Sequence, residues 1–333
     1  MDLFAAEFLG KPGWVWALFV GLVLALLALD LGVLNRRARE IPVSQSLWMS
    51  AFYTAVACAF GAWVWWEMGR QSGVEYFTGF FIEKMLALDN VFVISLIFTY
   101  FAIPRHLQHR VLLWGILGVI VLRAAMIGLG AALVAEFAWV LYLFGAFLLA
   151  TGVKMLVMGD APASLEDNPV LRLLRRRFRI TPTLHGERFV VRLPDPATGR
   201  PVLWLTPLML ALVLVEVADL VFAVDSVPAI FAITTDPYIV YTSNIFAILG
   251  LRALYFALAA MVHRFRYLKP ALALVLVFIG AKIFWNQLVG KLDPLVSLSV
   301  TAALLAGGVL VSLLRTRGEG PAGPPPAVAA RAP

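Results

Sequence analysis

The chain has 333 residues, of which 62% are hydrophobic and 14% charged, with a formal net charge of +7. Soluble globular domains sit nearer ~45–50% apolar and ~25% charged, so a soluble enzyme, a disordered chain and a secreted disulfide scaffold are excluded. At roughly 20 residues per crossing, the apolar residues, about 206 from 0.62 × 333, supply at most about ten membrane helices.

Nine apolar runs follow one another, near 14–34, 46–66, 76–101, 110–134, 137–158, 205–232, 238–262, 268–288 and 295–314. Most are long enough to cross ~30 Å of hydrocarbon at 1.5 Å per residue. The start is acidic and poor in Lys (Asp2, Glu7), so the first run reads as a retained anchor and not as a cleavable signal peptide. The first two runs form an N-terminal unit over 1–75. It holds the single cysteine, Cys58, which can form neither an internal disulfide nor a Cys-rich metal site. The third to fifth runs occupy 76–158. The loop 159–204 carries Arg172, Arg175, Arg176, Arg177 and Arg179, an arrangement suited to anionic headgroups. Its segment Phe189–Leu205, with Asp195-Pro196 and Thr198-Gly199 in the middle, predicts a small hairpin. The sixth to eighth runs fill 205–288 and the ninth lies in 289–317. The Gly-, Pro- and Ala-rich tail 318–333 is expected to be disordered.

Loop charges orient the chain. Arg36, Arg37 and Arg39 follow the first run, Arg105 and Arg110 the third, and the Arg cluster the fifth. Arg264, Arg266 and Lys269 follow the seventh, and Arg315 and Arg317 the ninth. The alternate connections hold only Lys11, Arg70 and Lys291. Cytoplasmic loops collect Lys and Arg. The expected topology is therefore nine spans, N-terminus outside and C-terminus cytoplasmic, and the net positive charge needs no nucleic-acid partner.

Two segments resemble each other. EKMLALDNV, from Glu83, and DLVFAVDSV, from Asp219, align Glu83 with Asp219, Asp89 with Asp225 and Asn90 with Ser226. Downstream, VIVLRAAM matches AILGLRAL at Arg123 and Arg252, and Gly152-Val153-Lys154 matches Gly280-Ala281-Lys282. The Arg-to-Lys spacing is 31 residues in the first unit and 30 in the second. Each unit spans the membrane three times, so the second enters from the opposite side. This predicts an all-α polytopic protein with a 3+3 inverted-topology repeat and a site at the repeat interface near midplane.

Glu83, Asp89, Glu216, Asp219 and Asp225 all fall inside predicted spans. Unpaired and ionised, five such acids would cost on the order of 10 kcal/mol or more. They must face a cavity, pair with cations or be protonated. Lys84, Arg123, Arg252 and Lys282 are the candidate charge-balancing groups. Glu83 and Asn90 share one helix stripe, and Asp219 and Ser226 repeat it with Glu216. Pro228 cannot donate to the carbonyl of Val224, which predicts a broken helix beside Asp225. Across a pseudo-two-fold axis, Glu83 is expected beside Asp225 and Asp89 beside Asp219. The candidate ligands are oxygens: Glu83, Asp89, Asn90, Glu216, Asp219, Asp225 and Ser226. Oxygen donors suit a hard divalent ion, Mn²⁺, Mg²⁺ or Ca²⁺, and the same carboxylates can carry H⁺ as a counter-ion. Asp30 either caps the cytoplasmic end of the cavity or meets Arg36 and Arg37. Asn244 is a further candidate ligand or an interhelical hydrogen-bonding group.

The stretches TGFFIEKMLALDNVFV, LFGAFLLATGVKM, TPLMLALVLVEVADLVFAVDSVPAIFAITTDPYIV and TSNIFAILGLRALYF resemble the TerC family of integral membrane proteins, in particular its Alx branch. They run from residue 78 to 256, and the spacing agrees through Lys282. The resemblance implies a bacterial inner-membrane protein of manganese homeostasis, chiefly Mn²⁺ export, in a family named for tellurite-resistance clusters. Members are also described as redox modulators. The expected function is divalent-cation efflux by alternating access, without enzymatic activity or an organic cofactor. The alternatives are a redox modulator and a membrane assembly or stress-response factor without transport. An intramembrane aspartyl hydrolase fits poorly, because the acids exceed a dyad and recur in related pairs.

Overall fold

A computed structural model of the chain describes residues 7–32, 42–137, 139–158, 168–195, 199–258, 268–290 and 292–315. The tail 318–333 lies outside the described residues, as do the side chains of Asp89 and Asp225. The described residues form ten helices: α1 (Gly13–Gly32), α2 (Val43–Tyr100), α3 (Arg105–Glu136), α4 (Val140–Met158), α5 (Pro169–Arg177), α6 (Pro207–Phe231), α7 (Pro237–Leu249), α8 (Leu251–Leu258), α9 (Leu268–Leu288) and α10 (Pro294–Arg315). Two small antiparallel pairs, β1 (Glu7–Phe8) with β2 (Lys11–Pro12) and β3 (Val190–Pro194) with β4 (Pro201–Leu205), complete the fold.

Eight described stretches are long and apolar enough to cross a membrane. One of them is double. At 58 residues, α2 would extend about 87 Å if straight. It instead reverses at Gly69, whose φ of 88° and ψ of 172° only glycine adopts without strain. Across the reversal, the Tyr76 hydroxyl donates to the carbonyl of Ala57 at 2.9 Å. Gly73 packs against Trp65, and Gly61 against Tyr76. The described residues therefore carry nine apolar spans, as the sequence predicts. The connection expected between 66 and 76 shrinks to a single residue. Polar residues there continue both helices, and Gln71 donates to Glu75 one turn on, at 2.9 Å.

The two arms of α2 pack with α6, α10 and the α7–α8 pair, and meet α1 and α3 through side chains, Phe60 against Phe19 and Glu83 against Arg123. Of the stretch Pro237–Leu258, which makes up α7 and α8, 83% is buried, so it is the central span. Outward faces stay apolar: Trp66, Val121, Leu129, Val157 and Leu310 are exposed. Such a surface is stable against lipid and not against water.

The α4–α9 contact is unusually close. A Cβ on Gly152 would meet the Ala273 carbonyl at 2.7 Å and Val277 N at 3.0 Å. A Cβ on Gly280 would meet the Gly145 carbonyl at 2.8 Å and Leu149 N at 2.9 Å. Adding about 128 to each residue number of the second partner set returns the first, which is the offset of the Gly-x-Lys match in the sequence. Close backbone approach through small residues is how apolar helices associate where no hydrophobic drive acts between them.

The sequence-predicted hairpin forms, with Val190 opposite Leu205 and Pro194 opposite Pro201. It docks on the end of the bundle that carries the 159–204 loop, here the loop end. Arg110 pairs with Glu187 and lies over the Phe189 ring at 5.7 Å. Arg179 pairs with Asp195 at 2.8 Å. Helix α5 was not expected. Its apolar face, formed by Val170, Leu171 and Leu174, packs on the core with Leu171 fully buried, while its arginines are exposed. Asn168 caps it by accepting from the backbone N–H groups of Val170 and Leu171.

Pro228 does not break its helix. α6 runs unbroken from Pro207 to Phe231. The proline removes one hydrogen bond near the helix end, and burial of Ala229, Ile230 and Phe231 holds the last turn in place.

Candidate functional site

The centre of the bundle is built around Arg123. Its side chain, 1% exposed, reaches from α3 to three other spans. Nη1 donates to Glu83 on α2, to Ser226 Oγ on α6 at 2.8 Å and to Asn244 Oδ1 on α7 at 3.3 Å. Nε donates to Asp219 Oδ2 at 3.2 Å and Nη2 to Asp219 Oδ1 at 3.1 Å, so the guanidinium grips Asp219 in a two-pronged pair. Asn90 Nδ2 donates to the same Asp219 Oδ1 at 3.2 Å. Asn244 Nδ2 donates back to the Val240 carbonyl at 3.1 Å, which turns its amide oxygen toward the arginine. Glu83, Asn90, Asp219, Ser226 and Asn244 are all buried. Two carboxyl groups thus share one guanidinium in a buried interior, where an uncompensated charge is costly.

The predicted stripes meet as helix geometry requires. Glu83 and Asn90 face inward from α2, and Asp219 and Ser226 from α6. Asn90 bonds Asp219, and Ser226 and Glu83 share Arg123 and interact with each other. These are the immediate neighbours of the expected pairs Asp89 with Asp219 and Glu83 with Asp225. The side chains of Asp89 and Asp225 lie outside the described residues.

Below this network, toward the loop end, lies a small, mostly apolar cavity. Asn90, Asp219, Ala218, Gly115, Leu112, Ile94 and Arg252 are among its lining residues. Among the described residues, several buried polar atoms in and beside it lack hydrogen-bond partners: Asn90 Oδ1, Glu216 Oε2 and Arg252 Nε and Nη1. Glu216 sits one turn from Asp219, pressed on α3 so closely that a Cβ at Gly118 would lie 2.1 Å from its Oε1.

Three of the expected charge-balancing assignments need correction. Arg252, 1% exposed, pairs with Asp30, donating through Nη2 to its carboxylate and, at 3.3 Å, to its backbone carbonyl. It lies nearer the loop end than the Arg123 centre, where the end of α1 reaches it. Asp30 therefore has a partner on α8; Arg36 and Arg37 fall outside the described residues. Lys84 Nζ donates to the Ala247 carbonyl at 3.4 Å and makes no ion pair with a described acid. It follows Glu83 by one residue, about 100° around the helix. Lys282 Nζ donates to Ser297 Oγ at 3.1 Å, between α9 and α10 and away from the centre. Lys154, which the Gly-x-Lys sequence match sets opposite Lys282, is exposed.

The sequence reading passed over Gly115 and Gly118, whose three-residue spacing puts a flat strip of α3 against Glu216. It also passed over Gln108, which accepts from the Tyr255 hydroxyl at 3.1 Å near the loop end. The glycine spacing is a signal of close approach that a small-residue scan of α3 would find.

Fold and centre together define a polytopic all-α membrane protein with a cluster of ionisable side chains buried between four helices. The chain belongs to the TerC family: the model described as "Integral membrane protein TerC family" matches residues 68–319. It is 47% identical over 308 residues to the "Uncharacterized membrane protein STKORF319" of Myxococcus xanthus, covering 92% of this chain and 94% of that protein. It is 47% identical over 300 residues to an "Uncharacterized membrane protein" of Rickettsia bellii, covering 90% and 97%. It is 47% identical over 277 residues to the "Putative membrane-bound redox modulator Alx" of Escherichia coli strain K12, covering 80% and 84%. No solved structure matches the chain.

Proposed function

We propose that this protein moves a divalent cation, Mn²⁺ foremost, out of a bacterial cell across the inner membrane, and that it is not an enzyme. In this reading the loop end is cytoplasmic and the N-terminus lies outside. One observation carries it. Glu83 and Asp219, from two segments of similar sequence, meet at one buried guanidinium, with Asn90 and Ser226 beside them. Structural ion pairing alone does not account for the unpartnered acceptors Asn90 Oδ1 and Glu216 Oε2. Carboxylate, amide and hydroxyl oxygens suit a hard cation. Among the described residues no three of His, Cys, Asp and Glu are grouped to hold a metal. The arrangement therefore reads as a resting state, in which Arg123 stands where the cation's charge would be. The ligand set comprises Glu83, Asn90, Glu216, Asp219 and Ser226, with Asp89 and Asp225 completing it. H⁺ on the same carboxylates supplies the exchange.

The α4–α9 contact supports a 3+3 inverted repeat, since its two glycine seats interchange under the offset read from the sequence. The test is Mn²⁺ flux in proteoliposomes under a pH gradient. Flux is expected for the wild type and is expected to be lost in Glu83→Gln and Asp219→Asn. No metal-dependent flux with Mn²⁺, Mg²⁺ or Ca²⁺ would refute transport. The name of the Escherichia coli relative favours a second reading, redox modulation. Cys58 is the chain's single thiol, so redox chemistry on protein sulfur would need a second thiol from elsewhere. Unchanged cellular manganese in a deletion strain, with altered thiol balance, would favour that reading.

A further inference from the structure

We infer that Arg123 and Arg252 hold Asp219 in turn: Arg123 in the conformation seen here, and Arg252 in the opposite one, with Asp30 as the resting partner of Arg252. The inference rests on the transport reading and supplies its gate. The two arginines occupy matching places in the sequence, in VIVLRAAM and AILGLRAL. Their environments differ. Every nitrogen of Arg123 donates to a carboxylate, hydroxyl or amide oxygen. Arg252 is as deeply buried, yet among the described residues only its Nη2 is bonded, and Nε and Nη1 have no partner. Buried polar groups are rarely left so, and two unpaired guanidinium nitrogens mark a group awaiting an acceptor.

The cavity shows which acceptor. Arg252 forms part of its wall, and Asp219 and Asn90 form another part. The intervening lining is apolar, from Ile94, Leu112, Val119 and Leu251. A shift of the Arg252 side chain into this space brings Nε and Nη1 to Asp219, the two-pronged grip that Arg123 now makes. The backbone allows it. Arg252 stands on α8 two residues after Gly250, whose backbone interrupts the helix between α7 and α8. Arg123 stands within the continuous 32-residue α3.

Energetics favour exchange over release. A buried carboxylate left without a partner is strongly destabilising, so Asp219 can change conformation cheaply only if one guanidinium replaces the other, or a cation stands between them. With Arg123 engaged, the far end is sealed by the Glu83–Ser226–Asn244 network and the cavity lies on the loop side. With Arg252 engaged, the cavity is filled and Glu83 is freed toward the far end. A cation binding Asp219 between the two states would displace one arginine before the other arrives.

The experiment reads conformation separately from flux. In a Cys58→Ser background, single cysteines are placed by Ala218→Cys in the cavity wall and by Ser243→Cys beside the Arg123 network. The labelling rate of each by a water-soluble maleimide is measured on purified full-length protein. Asp30→Asn removes the resting partner of Arg252. The exchange predicts that labelling at position 218 falls, and at position 243 rises, by about tenfold each, a hundredfold change in the ratio of states. Adding Arg252→Gln should abolish both changes. Unchanged labelling in Asp30→Asn, or a shift that survives Arg252→Gln, overturns the exchange. Should Asp30→Asn fail to fold, Arg252→Lys is read instead, since it keeps the charge without the fork. Labelling at 243 must then fall below the wild-type level, and an unchanged level overturns the exchange. Mn²⁺ flux in wild-type proteoliposomes is scored independently. A labelling shift without any flux supports the exchange and rejects cation transport; flux with unshifted labelling does the reverse.

Discussion

Replacing Arg123 by Gln tests whether the centre is a single electrostatic unit. The substitution removes the bidentate grip on Asp219 and the bond to Glu83, leaving a shorter, uncharged amide. Hydrogen bonds to charged groups contribute ~1.5–3 kcal/mol each, so simple addition over these three contacts would give about 4.5–9 kcal/mol. The sum is an overestimate, because each stranded carboxylate can take up a proton at neutral pH for roughly 4 kcal/mol. Asn90 also still donates to Asp219. A net loss of ~3–5 kcal/mol is therefore expected, the range for breaking a buried pair by removing one partner. In a chain of this size that is on the order of 10 °C in the midpoint of thermal unfolding. The assay is a thermal melt of purified protein in detergent for wild type, Arg123→Gln, Glu83→Gln and the double variant. Glu83 and Arg123 are in direct contact, so the double variant should recover ~1–3 kcal/mol relative to additivity. Additive losses within ~0.5 kcal/mol, or a single variant as stable as wild type, would refute a centre held by shared charge.

Three further outcomes follow from the packing. Gly152→Val and Gly280→Val should destabilise similarly, each by ~2 kcal/mol or more, because each drives a side chain into backbone at 2.7–2.8 Å; a melt showing one tolerated and the other not would argue against equivalent seats. Gly118→Ala should displace the Glu216 carboxylate and weaken Mn²⁺ binding by about tenfold, near 1.4 kcal/mol, in calorimetry on purified protein while the fold persists; unchanged affinity would remove Glu216 from the site. Arg110→Ala should change stability by less than ~1 kcal/mol, since its pair with Glu187 is exposed to solvent, and a larger loss in the same melt would mean that the hairpin is docked by that pair.

Hydropathy and charge order made the spans legible because the bilayer imposes a simple rule: about twenty apolar residues per crossing, with backbone groups satisfied within each helix. The stripe of Glu83 with Asn90 and that of Asp219 with Ser226 were legible too, because seven residues return close to the same helix face. Local pattern could mislead where the rest of the fold supplies compensation. Pro228 suggested a break, but it lies near the end of a packed helix whose last turn is buried. The loop expected between the second and third spans contracted to Gly69, because the flanking polar residues are as compatible with helix as with coil.

The sequence by itself determined an all-α membrane protein, its nine spans and the acids and arginines destined for its interior, since these follow from composition and periodicity along one chain. Only the tertiary structure decided which charges meet. Arg123 takes Glu83 and Asp219, Arg252 takes Asp30, and Lys84 and Lys282 turn elsewhere. Pairing between spans depends on helix rotation, depth and neighbour choice, and these are set by close contacts such as Gly152 against α9 and Gly118 against Glu216. Helix period and hydropathy are the same whichever neighbour a span chooses, so neither contains that choice.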